Sequence, residues 1–134
     1  MLSRGQPCPK PTPRIEAKKA RRALEAKELR DCYTRVDLRD GPRCRVCGRW
    51  CSPGAIGMLE RAERHHMVYR SRGGQHTTEN VLTVCKHTCH TAIHVEGVLR
   101  LTGNADLRDA VTGKFNGVAV QKWTEAGWVT ERMC

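Results

Sequence analysis

ERHHMVYRSRGGQHTTENVLTVCKHTCHTAIH, residues 63–94, is the stretch whose reading decides the fold, and it holds all six histidines of the chain. Arg64 to Ser71 fits one strand, Arg72 to Glu79 a polar turn containing Gly73 and Gly74, and Asn80 to Val84 a second strand. A helix should follow from Thr88, as N-cap, to His94 or Val95, with Gly97 just past its end. Adjacent side chains on a strand point to opposite faces, so His65 and His66 should divide their labour. On the helix His90 and His94 stand four apart and share a face. One strand histidine can therefore complete a three-imidazole metal site while its neighbour approaches a substrate from another direction. His76 and His87 lack a partner at ligand spacing and read as loop residues.

The same region carries two pairs of thiols. Cys44 and Cys47 flank a tight turn, Cys85 follows the second strand, and Cys89 lies at the start of the helix. Two such pairs supply the four soft donors of a closed tetrahedral zinc site. The second pair has three intervening residues, and Cys51 stands close enough to replace one member. Cys8, Cys32 and Cys134 read as uninvolved.

Outward from this core, residues 1–13 contain four prolines and should form a flexible basic tail. Residues 14–36 read as a helix with a thin apolar stripe of Ile15, Leu24, Leu29 and Val36, broken at Asp40-Gly41-Pro42. It should offer Lys18, Lys19, Arg21 and Arg22 to solvent or phosphate. Residues 52–60 read as a loop. From Gly97 to Cys134 the alternation of Val98, Leu99 and Leu101, then Val118 and Val120, suggests two or three short strands. Trp123 and Trp128 can stack on bases but read more readily as core. The domain organisation expected is a tail over 1–13 and one domain over 14–134: a helical arm at 14–40, a zinc-braced core at 41–96 and a β extension at 97–134.

Composition narrows the partners. The formal charge of +10 is concentrated: residues 1–30 hold nine Lys or Arg against three Glu, and residues 44–94 hold seven against three. Positive charge in an arm and in the Cys- and His-rich segment suits a phosphate backbone. Residues 1–30 are basic and proline-containing rather than apolar, so no export segment is expected, and the cysteines suit metal binding in a reducing cytoplasm better than disulfides. No apolar run approaches the roughly 18 residues that span a membrane.

On Cys44 to His94 the sequence resembles the HNH endonucleases, which have the ββα-metal (His-Me finger) fold. The resemblance is carried by Glu63 to Val68, Arg70 to Gly74, Glu79 to Leu82 and Cys85 to His94. It implies a ββα-metal core; with the N-terminal basic helix and the small C-terminal β extension read from the residues on either side, the fold expected is α+β. It further implies that His66 is the general base, that His65, His90 and His94 bind the catalytic metal, and that Asn80 braces the loop and orients the base. Glu63, three residues before the base, contributes to the site in the colicin-type branch, and Cys44, Cys47, Cys85 and Cys89 would hold structural zinc. Many small stand-alone proteins of this kind belong to phages or prophages, and the resemblance then implies a host cytoplasm.

Phosphodiester hydrolysis asks for such parts: a base that titrates near neutrality and a cation to offset charge on the phosphorane and the departing 3′ oxygen. Three imidazoles favour zinc, nickel, cobalt or manganese over magnesium. Arg70 and Arg72 flank the two-glycine loop and can clamp phosphate, and Arg64 can stabilise the product side. The expected function is metal-dependent DNA hydrolysis, with a homodimer or a partner deciding whether one strand or two are cut. The rivals are a non-catalytic zinc module that binds nucleic acid and an adaptor acting with phage packaging proteins.

Overall fold

The structure is a computed structural model that describes residues 8–52 and 60–134. Most of the loop read at 52–60, and the first seven residues of the proline-rich tail, lie outside the described residues. The fold is α+β. A long helix α1 (Pro13–Asp40) leads into a three-stranded sheet of β1 (Cys51–Ser52), β2 (Glu60–His66) and β3 (Val81–Cys85). A π-helical turn (Lys86–His90) runs into the short helix α2 (Thr91–His94). A second sheet follows, of β4 (Leu99–Gly103), β5 (Val118–Thr124) and β6 (Gly127–Met133) in that order. No described helix is long and apolar enough to cross a membrane.

Helix α1 begins at Pro13, where a proline loses no hydrogen bond, and ends as Gly41, at φ 61, donates its N–H to Asp37 O. It is four residues longer than expected at its C-terminal end. The stripe read along it is mostly not a packing face: Ile15 and Leu24 are exposed, and the buried side chains are Cys32 and Val36. Only the last third of the helix therefore docks, with Cys32, Tyr33 and Val36 against Val81 of β3. The preceding turns carry the basic residues, and from them Glu25 reaches Arg70.

Strand β3 is buried at every position because both its faces are covered. Val81 faces α1, while Leu82 and Val84 join Ile93 of α2 and Leu101, Val118 and Val120 of the second sheet in the main core. Burying a Val or Leu of this kind contributes about 1.5–3 kcal/mol, so this strand anchors three layers at once. At the junction the fully buried carboxylate of Asp40 takes hydrogen bonds from Arg39, Arg45 and the Thr83 N–H. Burial alone would push its pKa up, but those donors hold it below the ordinary carboxylate range.

Two boundaries differ from the sequence reading. β2 runs from Glu60 to His66 rather than from Arg64 to Ser71, and Arg70–Arg72 forms a 3-10 turn. The cause is Asn80, whose Oδ1 accepts from Val68 N–H while its Nδ2 donates to Val68 O and Gln75 O, so Val68 has nothing left for a ladder. Gly74 permits the same turn, since a Cβ there would lie 1.8 Å from Val68 O. The N-cap of the second helical segment is Cys85, whose sulfur accepts from Cys89 N–H, not Thr88. Glu60 reaches across to take the N–H groups of His87 and Thr88, satisfying two donors at the start of this turn.

Candidate active site and metal centres

The pairing register assigns each strand histidine its face. His65 stands opposite Leu82 and His66 opposite Val81, and cross-strand partners share a face of the sheet. His65 therefore points with Leu82 toward α2, and His66 points with Val81 toward α1. Arg64, opposite Thr83, also faces α1, where it forms a fork with the Asp37 carboxylate beside the Tyr33 ring. Glu63 shares the face of His65, half-buried, with Lys86 Nζ 3.8 Å away.

His65 is buried, and its ring meets His90 and His94 from α2 and the turn before it. One ring nitrogen from each lies within 4.8 Å of the others, and His65 Nδ1 is 3.2 Å from His94 Nε2. Zinc–nitrogen bonds of about 2.0–2.1 Å at tetrahedral angles put two ligand nitrogens about 3.3 Å apart. The donor set therefore fits one divalent ion with a position left open. Burial, followed by the neighbouring His94 and His90, pulls His65 down to about 3, and burial also lowers His90. Both rings are held in the neutral form that ligates metal. Tyr69 packs on His65 and His94 and forms the rim of this pocket, a contact that nothing in the sequence pattern signalled.

Cys44, Cys47, Cys85 and Cys89 form a second cluster, again with ligand atoms within 4.8 Å of one another. Cys47 Sγ and Cys85 Sγ are 3.7 Å apart, against about 3.8 Å for two thiolates on a tetrahedral zinc with bonds of about 2.3 Å. A hydrogen bond from the Cys89 thiol, helped by backbone N–H groups of Cys47, Cys85 and Val46, brings Cys44 down to about 5. The same contact with Cys44 raises Cys89, and burial raises Cys85 to about 11, so gathered thiolates repel unless a cation sits among them. The four thiols can thus hold a structural zinc. The extra residue between Cys85 and Cys89 is absorbed by the π-helical turn, in which Thr91 N–H reaches back five residues to Lys86 O. Cys51 is buried outside the quartet with its thiol pushed up to about 12, chiefly by burial, so it replaces none of the four.

On the α1 side His66 meets a residue that sequence spacing had set aside. His76 Nδ1 lies 2.9 Å from His66 Nε2, in the loop that Asn80 braces. It is a loop residue as expected, but not one without a partner. The Tyr33 ring is 6.3 Å from His66. Burial, then the charges of His76 and Arg70, lowers the pKa of His66 below its ordinary value. His76 also lines a groove of about 900 Å³ between α1 and the Arg70–Thr77 loop, with Glu25, Glu28 and Arg70 among its walls.

A family model described as HNH endonuclease matches residues 44–96. Residues 44–96 form an HNH domain. The match begins at the first cysteine of the quartet and ends just beyond His94, so it encloses both clusters, the Asn80 brace and His66. No curated protein and no solved structure matches the chain. The remaining expected contact residues lie around this HNH domain. Arg70 is paired with Glu25, and Arg72 is exposed. Lys18, Lys19, Arg21 and Arg22 are exposed on α1. His87 is exposed and belongs to neither cluster.

Proposed function

We propose that the chain is a metal-dependent DNA endonuclease in which His66 takes a proton from the attacking water, and His65, His90 and His94 hold one divalent ion. The observation that carries this reading is the convergence of three imidazoles on one face of β2 with a fourth, His66, at the same strand end on the other. A phosphate lodged at that end meets both groups. When bound, the ion would offset charge on the phosphorane and the departing 3′ oxygen. Zinc, nickel, cobalt or manganese suit three imidazoles, whereas magnesium prefers oxygen.

With His66 as the base, its contact with His76 assigns the proton between them. A neutral imidazole has one lone pair and one N–H. If His76 donated to His66 Nε2, His66 would present only an N–H to water. With His66 Nε2–H donating to His76 Nδ1, His66 keeps the Nδ1 lone pair for the water proton. The resulting imidazolium still donates to His76, which stabilises it. His76 is thus a positioning residue. Asn80 holds the loop that carries it, and Glu63, beside Lys86, flanks the metal-binding ring of His90.

Arg70 and Arg72 are assigned to phosphate, with Arg70 exchanging Glu25 for DNA, and the arm residues Lys18, Lys19, Arg21 and Arg22 add salt-sensitive affinity without reading sequence. Arg64 serves α1 docking through Asp37 first. Plasmid incubated with chelator-treated protein and single added metals tests the proposal. Nicking or linearisation by the native chain but not by His66→Ala is expected. Equal cleavage by both would overturn it, and no cleavage with any metal by a chain that still retains zinc and binds DNA would favour the binding module or the partner-dependent adaptor.

A further inference from the structure

The second sheet has one buried face and one open one, and the open face is built differently from an ordinary solvated surface. Leu101, Val118 and Val120 fill the core from one side. On the other side the register aligns Arg100 with Gln121, Gln121 with Thr130, and Trp123 with Trp128. These side chains interlock. Arg100 Nε donates to Gln121 Oε1 at 2.6 Å, and Gln121 Nε2 donates to Thr130 Oγ1 at 3.2 Å. The Arg100 guanidinium lies 4.5 Å from the Trp128 ring centre, and the two indoles meet at 5.4 Å. Trp123 is nevertheless 55% exposed, the opposite of the core position expected for it.

An exposed indole pinned by a neighbouring indole is a flat surface that loses little freedom on binding. A guanidinium fork beside it, with Nε engaged, retains two Nη groups for an acceptor. No residue in these cross-strand pairs is acidic. Aromatic ring plus arginine on an open sheet is the chemistry that stacks an unpaired base and holds its phosphate. The sheet is also tied to the metal-binding helix: Trp123 N–H donates to Val98 O, and Val98 N–H to Ala92 O of α2, two residues before His94.

We infer that the open face formed by Arg100, Gln121, Trp123, Trp128 and Thr130 binds unpaired nucleotides of single-stranded DNA. The site extends the nuclease reading by naming the substrate form, single-stranded or flapped DNA, that would be held beside the scissile phosphate. Its test uses binding rather than cleavage, so the two can fail separately.

In a His66→Ala, Trp50→Phe chain, tryptophan emission reports only Trp123 and Trp128. Titration with a short oligo-dT strand should quench that emission. Trp123→Ala should weaken single-strand binding by about 5- to 150-fold, as expected for loss of one stacked base, while duplex affinity stays within twofold. Trp123→Phe should restore most of the loss, and Arg100→Gln should lower the salt dependence. Absence of quenching, or equal losses on single strand and duplex, would overturn the inference. Single-strand binding that depends on Trp123, in a chain that never cuts plasmid, would leave this site standing and remove the nuclease.

Discussion

The two ligand clusters of the HNH domain share one short segment: Cys85 and Cys89 belong to the quartet, His90 and His94 to the triad. Neighbours in sequence, Cys89 and His90 serve different centres, because the helical segment turns one side chain into the core and the next toward β2. The quartet supplies four donors, three of them buried, and so leaves an ion no open position. The triad supplies three, with His94 exposed, and leaves one. Closed coordination can only hold the fold together, and open coordination can act on a substrate. The comparison predicts that damage to the first centre unfolds the protein and that damage to the second silences it.

The largest effect should come from Cys44→Ser or Cys89→Ser. Structural zinc contributes about 10–16 kcal/mol in small domains, as much as a whole domain's usual stability. Either variant should lose zinc and its cooperative thermal transition together, followed by circular dichroism and metal analysis. A Cys89→Ser chain that melts within a few degrees of the native one would break the comparison.

His66→Ala comes next, with cleavage expected to fall by about 10²- to 10⁴-fold and the melting temperature nearly unchanged. Retained activity, or a collapse of stability, would contradict the division between the centres. His76→Ala should cost about 10- to 150-fold in kcat, the worth of a hydrogen bond to a charged group. His76→Asn, which keeps an acceptor near the position of Nδ1, should recover part of it. A loss confined to KM would assign His76 to binding instead.

The smallest effect concerns pH. The pKa of His66 is lowered below its ordinary 6.5, first by burial, so its base form predominates at neutrality. Cleavage should be flat above pH 7 and decline only below 6.5; a rate still climbing through pH 8 would show that another group limits. For the chain stripped of its exchangeable ion, His65 gives the same sign in stability. Its folded value of about 3 lies below the unfolded 6.5, so its contribution is complete above 6.5 and lost as pH falls from 6.5 toward 3. Urea melts at pH 7.5 and pH 5 measure the difference.

The order strand, loop, strand, helix was legible because it rests on local period and punctuation, and the ligand sets because four-residue and two-residue spacings are properties of one segment. What the sequence hid depends on long-range return of the chain. Glu60 caps a turn 27 residues away, Arg64 finds Asp37 across 27, and His76 reaches His66 only because Asn80 folds the loop back. Met67 to Ser71 has strand-like composition, yet β2 ends at His66, because the Asn80 brace takes Val68 out of the ladder. Alternation in the C-terminal strands marked two faces without saying which would be covered, so Trp123 was placed inside.

Metal content per chain, before and after dialysis against a chelator, tests the central claim most directly when the native chain is compared with His94→Ala. Two ions are expected in the native chain, one zinc that resists removal and one ion that exchanges, with His94→Ala keeping the first and losing the second. A native chain that holds a single resistant zinc, unchanged by His94→Ala, would contradict it and leave a zinc-braced binding module.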